Sequence, residues 1–439
     1  MKVYLQTLGC RVNQYETDAA RELFIRSGYE ITSSPEDADI CVVNTCTVTG
    51  EADRKSRQQL RKMARLNPRA VVVAMGCMSE MADGTVDADV ILGTKDKTLI
   101  VEKTEEFLKT REEKELSHTG KTTRPEVSKK DDYHEFGTVL SPEGTRAFMK
   151  IEDGCNKFCT YCIIPFARGR VASRDEENII SEAEYLASQG FREVVVSGIH
   201  ICSYGKDRGE GIEALSRVLR RIGEIDGIER IRIGSMEPMS LTPEFISDLS
   251  RIPKLCPHFH LSLQSGSATV LKRMNRDYDP GQFIEKVSLL RSAFPSMSLT
   301  TDIICGFPGE TTEEFSETLK FCDRAGFTKI HVFPYSRREG TVAAKMEQLP
   351  GGVGKERTSV LSAWSDKAEE AFASGFTGRE TTVLIETYKE GMAEGYNPEY
   401  VRSYIRMDQE TFEKVQGSVV SVRVTGSSSR NIICDLIQN

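Results

Sequence analysis

AFMKIEDGCNKFCTYC, residues 147–162, decides how the rest of this chain is read. Its first half is an apolar run of strand type. Its second half sets Cys155, Cys159 and Cys162 in a C-x3-C-x2-C spacing directly after that strand. A loop in that place sits at the carboxyl end of a parallel sheet, where α/β enzymes keep their chemistry. Three thiolates on one short loop can bind three irons of a 4Fe–4S cube, and the fourth iron then has no protein ligand within the motif. A structural zinc site normally recruits a fourth Cys or His, and the nearest later histidine, His200, lies well outside that spacing. Zinc, or no metal at all, stays the alternative on ligand rules alone.

Downstream to about Phe372, strand-like runs alternate with helical ones. The strands are AFMKIED, REVVVSGI, RIRIGS, HFHLSLQ, LTTDIICG and KIHVFPY, with helices such as ENIISEAEYLASQG and EEFSETLKFCDRAG among them. Six βα units predict an open, partial (β/α)6 barrel over 141–372. Upstream, KVYLQTLG, DADICVVNTC, AVVVAMGC and VDADVILGT alternate with helices such as YETDAARELFIRSG, which predicts a parallel-sheet domain over 1–112. Between them, 113–140 loses its apolar character and reads as a charged linker. From 374 to 439 the runs TTVLIETYKEG, YVRSYIRM, SVVSVRVTG and RNIICDLI predict a small all-β barrel. The class is α/β, in three parts, as a chain of 439 residues is too long for one core.

A formal net charge of -8 argues against indiscriminate nucleic-acid binding, but an average can hide a patch. Glu51 to Arg69 carries seven Lys/Arg against two acids, either a solvated helix face or a phosphate-tracking surface. The start MKVYLQTLGC is no signal-peptide core, and no stretch is long enough to span a bilayer. The expectation is a cytoplasmic protein without a membrane partner. Its twelve cysteines are then reduced, so clustered thiols point to metal or catalysis and the rest to small buried hydrophobes.

Cys10, Cys46 and Cys77 share no local motif, yet each follows a strand of the first domain: VYLQTLG-Cys10, CVVNT-Cys46 and VVVAMG-Cys77. Carboxyl ends of neighbouring parallel strands converge on one rim, so these thiols can meet and hold a second cluster. Gly9 and Gly76 allow tight turns there. Cys41, inside its strand, is expected to be plain core. Coincidence is the bland alternative for the other three.

The spacing of Cys155, Cys159, Tyr161 and Cys162 resembles the C-x3-C-x-(aromatic)-C signature of the radical-SAM superfamily. The resemblance implies that the amino and carboxylate groups of S-adenosylmethionine chelate the open iron, and that reduction cleaves it to a 5′-deoxyadenosyl radical. Such a cofactor suits an unactivated C–H bond, which no side-chain base can deprotonate. The candidate cofactor contacts are Tyr161 of the cysteine loop and the strand-end residues Ser197, Gly198, Ser235, Glu237, Ser262, Gln264 and Gly306, with Ser265 beside them. Singly, each is as readily a turn residue.

The order of TLGCRVNQYET, VVNTCTVT, AMGC, CNKFCTYCIIPFARGR, SGIHICSYGKD and LQSGS is similar to the radical-SAM methylthiotransferases over nearly the whole chain. That family implies an N-terminal auxiliary-cluster domain, a radical-SAM core and a C-terminal TRAM barrel. It implies two 4Fe–4S clusters, one on Cys10, Cys46 and Cys77 and one on the catalytic Cys155, Cys159 and Cys162. It also implies S-adenosylmethionine and a flavodoxin- or ferredoxin-like electron donor. One methyl transfer to a sulfur at the auxiliary cluster and one radical hydrogen abstraction place a methylthio group on the substrate. GCRVNQYET is most similar to the branch acting on threonylcarbamoyladenosine, at carbon two of its adenine, in the tRNA anticodon stem-loop. The other branches act on isopentenyladenosine in tRNA or on a ribosomal protein side chain. An iron–sulfur RNA-binding sensor is the reading outside enzymes, disfavoured because carriers usually have full cysteine ligation. Candidate RNA contacts are Arg168, Arg170, Arg174, the basic helix, and the tail's Tyr388, Tyr396, Tyr400, Tyr404, Arg402 and Arg406. The tail's seven Lys/Arg against nine Asp/Glu make those tyrosines core residues as readily as stacking platforms.

Overall fold

The structure is a computed structural model and describes residues 1–82, 86–114, 132–139, 142 and 144–437. Valine- and isoleucine-rich runs build the first sheet. Its strands are β1 (Lys2–Thr7), β2 (Glu30–Ile31), β3 (Ile40–Thr45), β4 (Val71–Gly76) and β5 (Val90–Leu92), in the order β2-β1-β3-β4-β5 and all parallel. Helices α1 (Arg11–Arg26), α2 (Gly50–Leu66), α3 (Cys77–Met81) and α4 (Ile100–Lys114) connect and flank them. Every residue of β3 and β4 is buried, because separate apolar clusters cover both faces. The two-residue β2 at the edge has no counterpart in the sequence reading.

The central domain starts with β6 (Arg146–Asp153), α5 (Ile164–Arg168), β7 (Ala172–Ser173) and α6 (Glu176–Ser188). It continues through β8 (Glu193–Gly198), α7 (Glu213–Glu224), β9 (Arg230–Ile233), α8 (Pro243–Ser250), β10 (His258–His260), α9 (Ala268–Arg273) and α10 (Pro280–Ala293). It ends with β11 (Ser298–Cys305), α11 (Thr312–Ala325), β12 (Lys329–Pro334) and α12 (Gly351–Ser374). Strands β6, β8 and β9 pair in parallel, as do β10, β11 and β12, and parallel bridges Ile231–Leu255 and Met236–Leu261 join the two groups. The result is the expected six-strand partial barrel. Capping boxes Asp279–Gln282 and Thr311–Glu314 start α10 and α11. On β11 the residues Leu299, Ile303 and Cys305 enter the outer apolar core, while Thr300 and Asp302 turn the other way, toward His260 on β10.

A partial barrel leaves a seam between β6 and β12, and the N-terminal domain spans it. On the β6 side, α1 packs along the strand, Tyr15 donates to Glu182 at 3.2 Å, and Thr94 donates to the Ala167 carbonyl at 2.7 Å. On the β12 side, Gly50 N–H donates to Ser336 at 2.8 Å and Arg338 pairs with Asp53 at 3.0 Å. Most of the expected linker, 115–131, lies outside the described residues. At 132–139 the chain is packed: Phe136 and Val139 bury against Tyr15 and Ala19, and Tyr133 donates to the Lys150 carbonyl.

The tail closes into a barrel of β13 (Glu380–Lys389), β14 (Met392–Tyr396), β15 (Arg402–Arg406), β16 (Val419–Ser428) and β17 (Asn431–Leu436), ordered β13-β14-β15-β17-β16. Val383, Ile385, Ile405, Val422, Val424 and Ile432 fill it. Strand β14 and the short helix α13 (Gln409–Val415) add to the four runs read from sequence. No helix among the described residues is long and apolar enough to cross a membrane.

Candidate active site

The loop after β6 is pinned on all sides. Gly154 has φ +77°, and a Cβ there would lie 1.9 Å from the Arg170 carbonyl oxygen, so only glycine fits. Cys155 N–H donates to Gly169, Cys162 N–H to the Cys159 carbonyl, and Thr160 N–H to Met274. Two donors address the sulfurs: Lys157 N–H at 3.4 Å from Cys155 and Arg276 Nη1 at 3.3 Å from Cys159. Burial pushes the free Cys155 thiol up to about 11 and Cys162 to about 12, so ligation displaces protons.

Among the described residues no three His, Cys, Asp or Glu draw together tightly enough for one metal ion. A cube assigns its thiolates to different irons, and sulfurs met by N–H donors suit it. Beside the loop, Glu152 is fully buried with one carboxylate oxygen unpartnered, and burial holds its pKa well above the usual range. Its other oxygen accepts His200 N–H at 2.7 Å. A cationic group of a cofactor brought against this carboxyl would offset the burial that otherwise keeps it protonated.

The seven strand-end candidates and Tyr161 of the cysteine loop occupy this rim in different ways. Ser197 spends its hydroxyl on the Met149 carbonyl, and a Cβ on Gly198 would meet Glu152 at 2.6 Å. Glu237 is held by Arg276 at 3.0 Å and lies 3.6 Å from His200, while Ser235 is exposed. The Ser262 carbonyl accepts from Tyr278 at 2.6 Å, and Gln264, at φ +73°, hydrogen-bonds β11 through its backbone. Gly306, at φ +73°, lets Gly354 approach, and Tyr161 packs against the apolar group of Val270, Met274, Phe307 and Ala343.

The second trio converges as strand ends should. Gly9 and Gly76 both have φ near +105°; a Cβ on Gly9 would meet Cys46 at 2.9 Å, and one on Gly76 the Asn44 amide oxygen at 2.5 Å. Asn13 ties the loops by donating to the carbonyls of Leu8 and Thr45, and its own oxygen lies 3.7 Å from the Cys10 sulfur. Cys10 is the N-cap of α1, where the helix dipole favours negative charge. Cys46 and Cys77 are buried, whereas Cys10 is exposed. Cys41 is core, as expected.

Between the trios runs an ionic bridge, buried except at Asp153, which is partly exposed. Glu16 of α1 accepts from Lys97, from Lys150 at 2.9 Å and from Arg168 at 2.8 Å. Arg168 also reaches Asp153 at 3.0 Å, Asn13 at 2.8 Å and, through Nε, the Cys77 sulfur at 3.2 Å. Three cations face two carboxylates, and Arg168 lies against Cys77, whose free thiol is still pushed up by burial, so a thiolate forms there on ligation. Burial opposes ionisation of Glu16, but Arg168, Lys150 and Lys97 together hold its pKa well below the usual range.

This corrects two of the expected RNA contacts. Arg168 is buried in the bridge, and Arg174 is buried against Glu182 at 2.6 Å and Glu135 at 2.8 Å. Arg170 alone of the three is exposed, over the Phe158 ring at 4.9 Å. On α2, Arg54, Lys55, Arg57 and Arg61 pair with Glu51, Asp53 or Asp87, leaving Lys62, Arg65 and Arg69 as exposed cations without a carboxylate among the described residues. Tyr388 stacks on Phe412 in the tail's core. Tyr400 is a floor, not a platform: its ring lies 4.9 Å from His258 and 4.5 Å from the Arg232 guanidinium, and its hydroxyl accepts from Arg146 at 2.8 Å.

A partial (β/α)6 barrel with a thiol trio after its first strand is the frame of a radical-SAM enzyme, here with a second thiol trio on the domain that closes its seam. The family model described as "Radical SAM superfamily" matches residues 149–322, and that of "Uncharacterized protein family UPF0004" matches 2–92. The chain is 38% identical over 430 residues to a threonylcarbamoyladenosine tRNA methylthiotransferase of Bacillus subtilis, covering 96% of this chain and 93% of that protein. It is 39% identical to that of Aquifex aeolicus, over 90% and 95%. A tRNA-2-methylthio-N(6)-dimethylallyladenosine synthase of Clostridium perfringens is 35% identical, over 87% and 86%. Among solved structures, a radical S-adenosylmethionine methyltransferase of Kitasatospora setae shares the fold with a TM-score of 0.56 at 15% identity, covering 76% of this chain and 72% of that one. The chain belongs to the radical-SAM methylthiotransferase family.

Proposed function

We propose that this enzyme inserts a methylthio group at carbon two of threonylcarbamoyladenosine beside the anticodon of tRNA. The observation that carries the reading is the closed seam: the N-terminal domain, with its own thiol trio, completes the wall of the radical-SAM barrel. Identity to the threonylcarbamoyladenosine enzymes over nearly the full chain supports the substrate.

In this reading 1–112 is the auxiliary-cluster domain, 113–140 the connection, 141–372 the radical-SAM core and 374–439 the TRAM barrel. Cys155, Cys159 and Cys162 hold the cluster that binds S-adenosylmethionine; Cys10, Cys46 and Cys77 hold the second. When bound, these groups supply the radical that removes a substrate hydrogen and the sulfur that replaces it. The chain's own residues do the positioning. Arg276 steadies Cys159 and Glu237, Glu152 keeps one carboxyl oxygen free for a cationic group of the cofactor, and Arg168 fixes the two trios relative to each other. The enzyme works in the cytoplasm and draws electrons from a flavodoxin- or ferredoxin-like donor.

The test is anaerobic reconstitution with iron, sulfide and a reductant, followed by nucleoside mass spectrometry of an anticodon stem-loop RNA containing threonylcarbamoyladenosine. Methylthio product is expected. Cys155→Ala abolishes S-adenosylmethionine cleavage, and Cys77→Ala retains cleavage while losing methylthiolation. Full methylthiolation by Cys77→Ala, or product only on isopentenyladenosine RNA, overturns the reading.

A further inference from the structure

The barrel lumen is polar where a hydrocarbon-binding site would be apolar. His258 and His260 on β10, Asp302 on β11 and His331 on β12 line one side, with the His260 and His331 rings 5.5 Å apart. His258 is 5% exposed and its Nδ1 has no hydrogen-bond partner, which marks a donor or acceptor awaiting a ligand. Burial and the neighbouring Arg232 and Arg11 keep this imidazole neutral. On β12, His331 and Phe333 are exposed.

Arg11 enters from the opposite side. It is the first residue of α1, adjacent to Cys10, and its guanidinium lies over the rings of Phe148 at 5.9 Å and Tyr400 at 5.6 Å. Its one polar contact among the described residues is a donation to the Tyr400 hydroxyl at 3.3 Å. Arg146, Arg168, Arg174, Arg232 and Arg276 are each paired with a carboxylate. Arg11, half-buried at the lumen, has none among the described residues. A desolvated guanidinium with unused donors is best satisfied by an anion.

We infer that Arg11 binds the carboxylate of the substrate's threonyl group, with the lumen histidines as polar partners, and so selects this substituent over a hydrocarbon one. The inference rests on the proposed substrate and deepens it. A threonylcarbamoyl group ends in a carboxylate and a hydroxyl. An isopentenyl group would leave Arg11 and His258 unpaired, and such loss of partners is what makes polar sites discriminate strongly.

The test compares reconstituted enzyme, wild type, Arg11→Gln and Arg11→Lys, on two stem-loop RNAs. One carries threonylcarbamoyladenosine as the free acid and the other its methyl ester. Wild type favours the acid. Arg11→Gln lowers the acid-to-ester ratio of kcat/KM by about 10- to 100-fold, the size of one charge-assisted pair, and Arg11→Lys restores part of it. An Arg11→Gln enzyme that keeps the wild-type ratio, including one slowed equally on both RNAs, overturns the inference while leaving the substrate reading intact. Wild-type enzyme inactive on the acid RNA removes the substrate reading and this inference together.

Discussion

Arg168→Met tests whether the buried bridge sets the relation between the two thiol trios. Arg168 joins α1, through Glu16 and Asn13, to Asp153 and the Cys77 sulfur, and its side chain and that of Glu16 are both fully buried. Removing one partner of such a pair costs about 3–5 kcal/mol. Lys97 and Lys150 still reach Glu16, so the lower end applies. About 3 kcal/mol corresponds to a roughly hundredfold rise in the opening of the junction. Amide hydrogen exchange of the apoprotein reads this directly, with protection expected to fall in α1 and β6 and to stay unchanged in the tail barrel. Arg170→Met, on an exposed side chain two residues away, is the control. Unchanged exchange in α1 of a folded Arg168→Met protein would refute the bridge as the coupling element.

Gly154→Ala forces a Cβ into the Arg170 carbonyl at 1.9 Å, so reconstituted protein should hold about half the wild-type iron and lose S-adenosylmethionine cleavage. Gly76→Ala meets Asn44 and the Thr45 backbone within 2.6 Å, and should lose the other half of the iron with the radical-SAM cluster's spectrum retained. Tyr400→Ala removes the hydroxyl and ring shared by Arg146, Arg232 and His258, and should lower the urea midpoint and loosen the tail barrel in hydrogen exchange. Burial pushes Cys41, Cys202 and Cys256 up to about 11, and Cys305 and Cys434 to about 12, from a free-thiol value near 9. Above that value the unfolded chain loses protons first. Stability from these thiols is therefore complete below pH 9 and falls as pH rises toward 11 to 12, which urea midpoints of the apoprotein at pH 7, 9 and 11 would show.

Strand ends were legible because period and length announce them, and a cysteine at a strand's carboxyl end has a known address on the rim. The seam's closure was not. Tyr15 meets Glu182 and Gly50 meets Ser336 across more than 160 residues, and no local pattern encodes such pairs. Arg168 and Arg174 read as RNA contacts because a cation after a cysteine loop looks exposed until its acids, Glu16 far back in the chain and Glu135 and Glu182 on either side of Arg174, are in view. Arg276, which donates to Cys159, lies 117 positions from it and had no signal at all. Strand β14, MAEGY, hid behind its glycine and charge, and β2 behind its length.

A chamber whose wall is supplied by a second domain's sheet raises the order in which its parts come together. Each iron–sulfur cube is a bulky object, and the sites proposed for the two lie on either side of a buried junction. If both trios hold cubes, inserting them is expected to be easier before the two domains pack than after. The salt links at Arg338 and Arg168 span that junction, and loosening either is expected to speed the uptake of iron by the empty protein, as the rate of reconstitution would show.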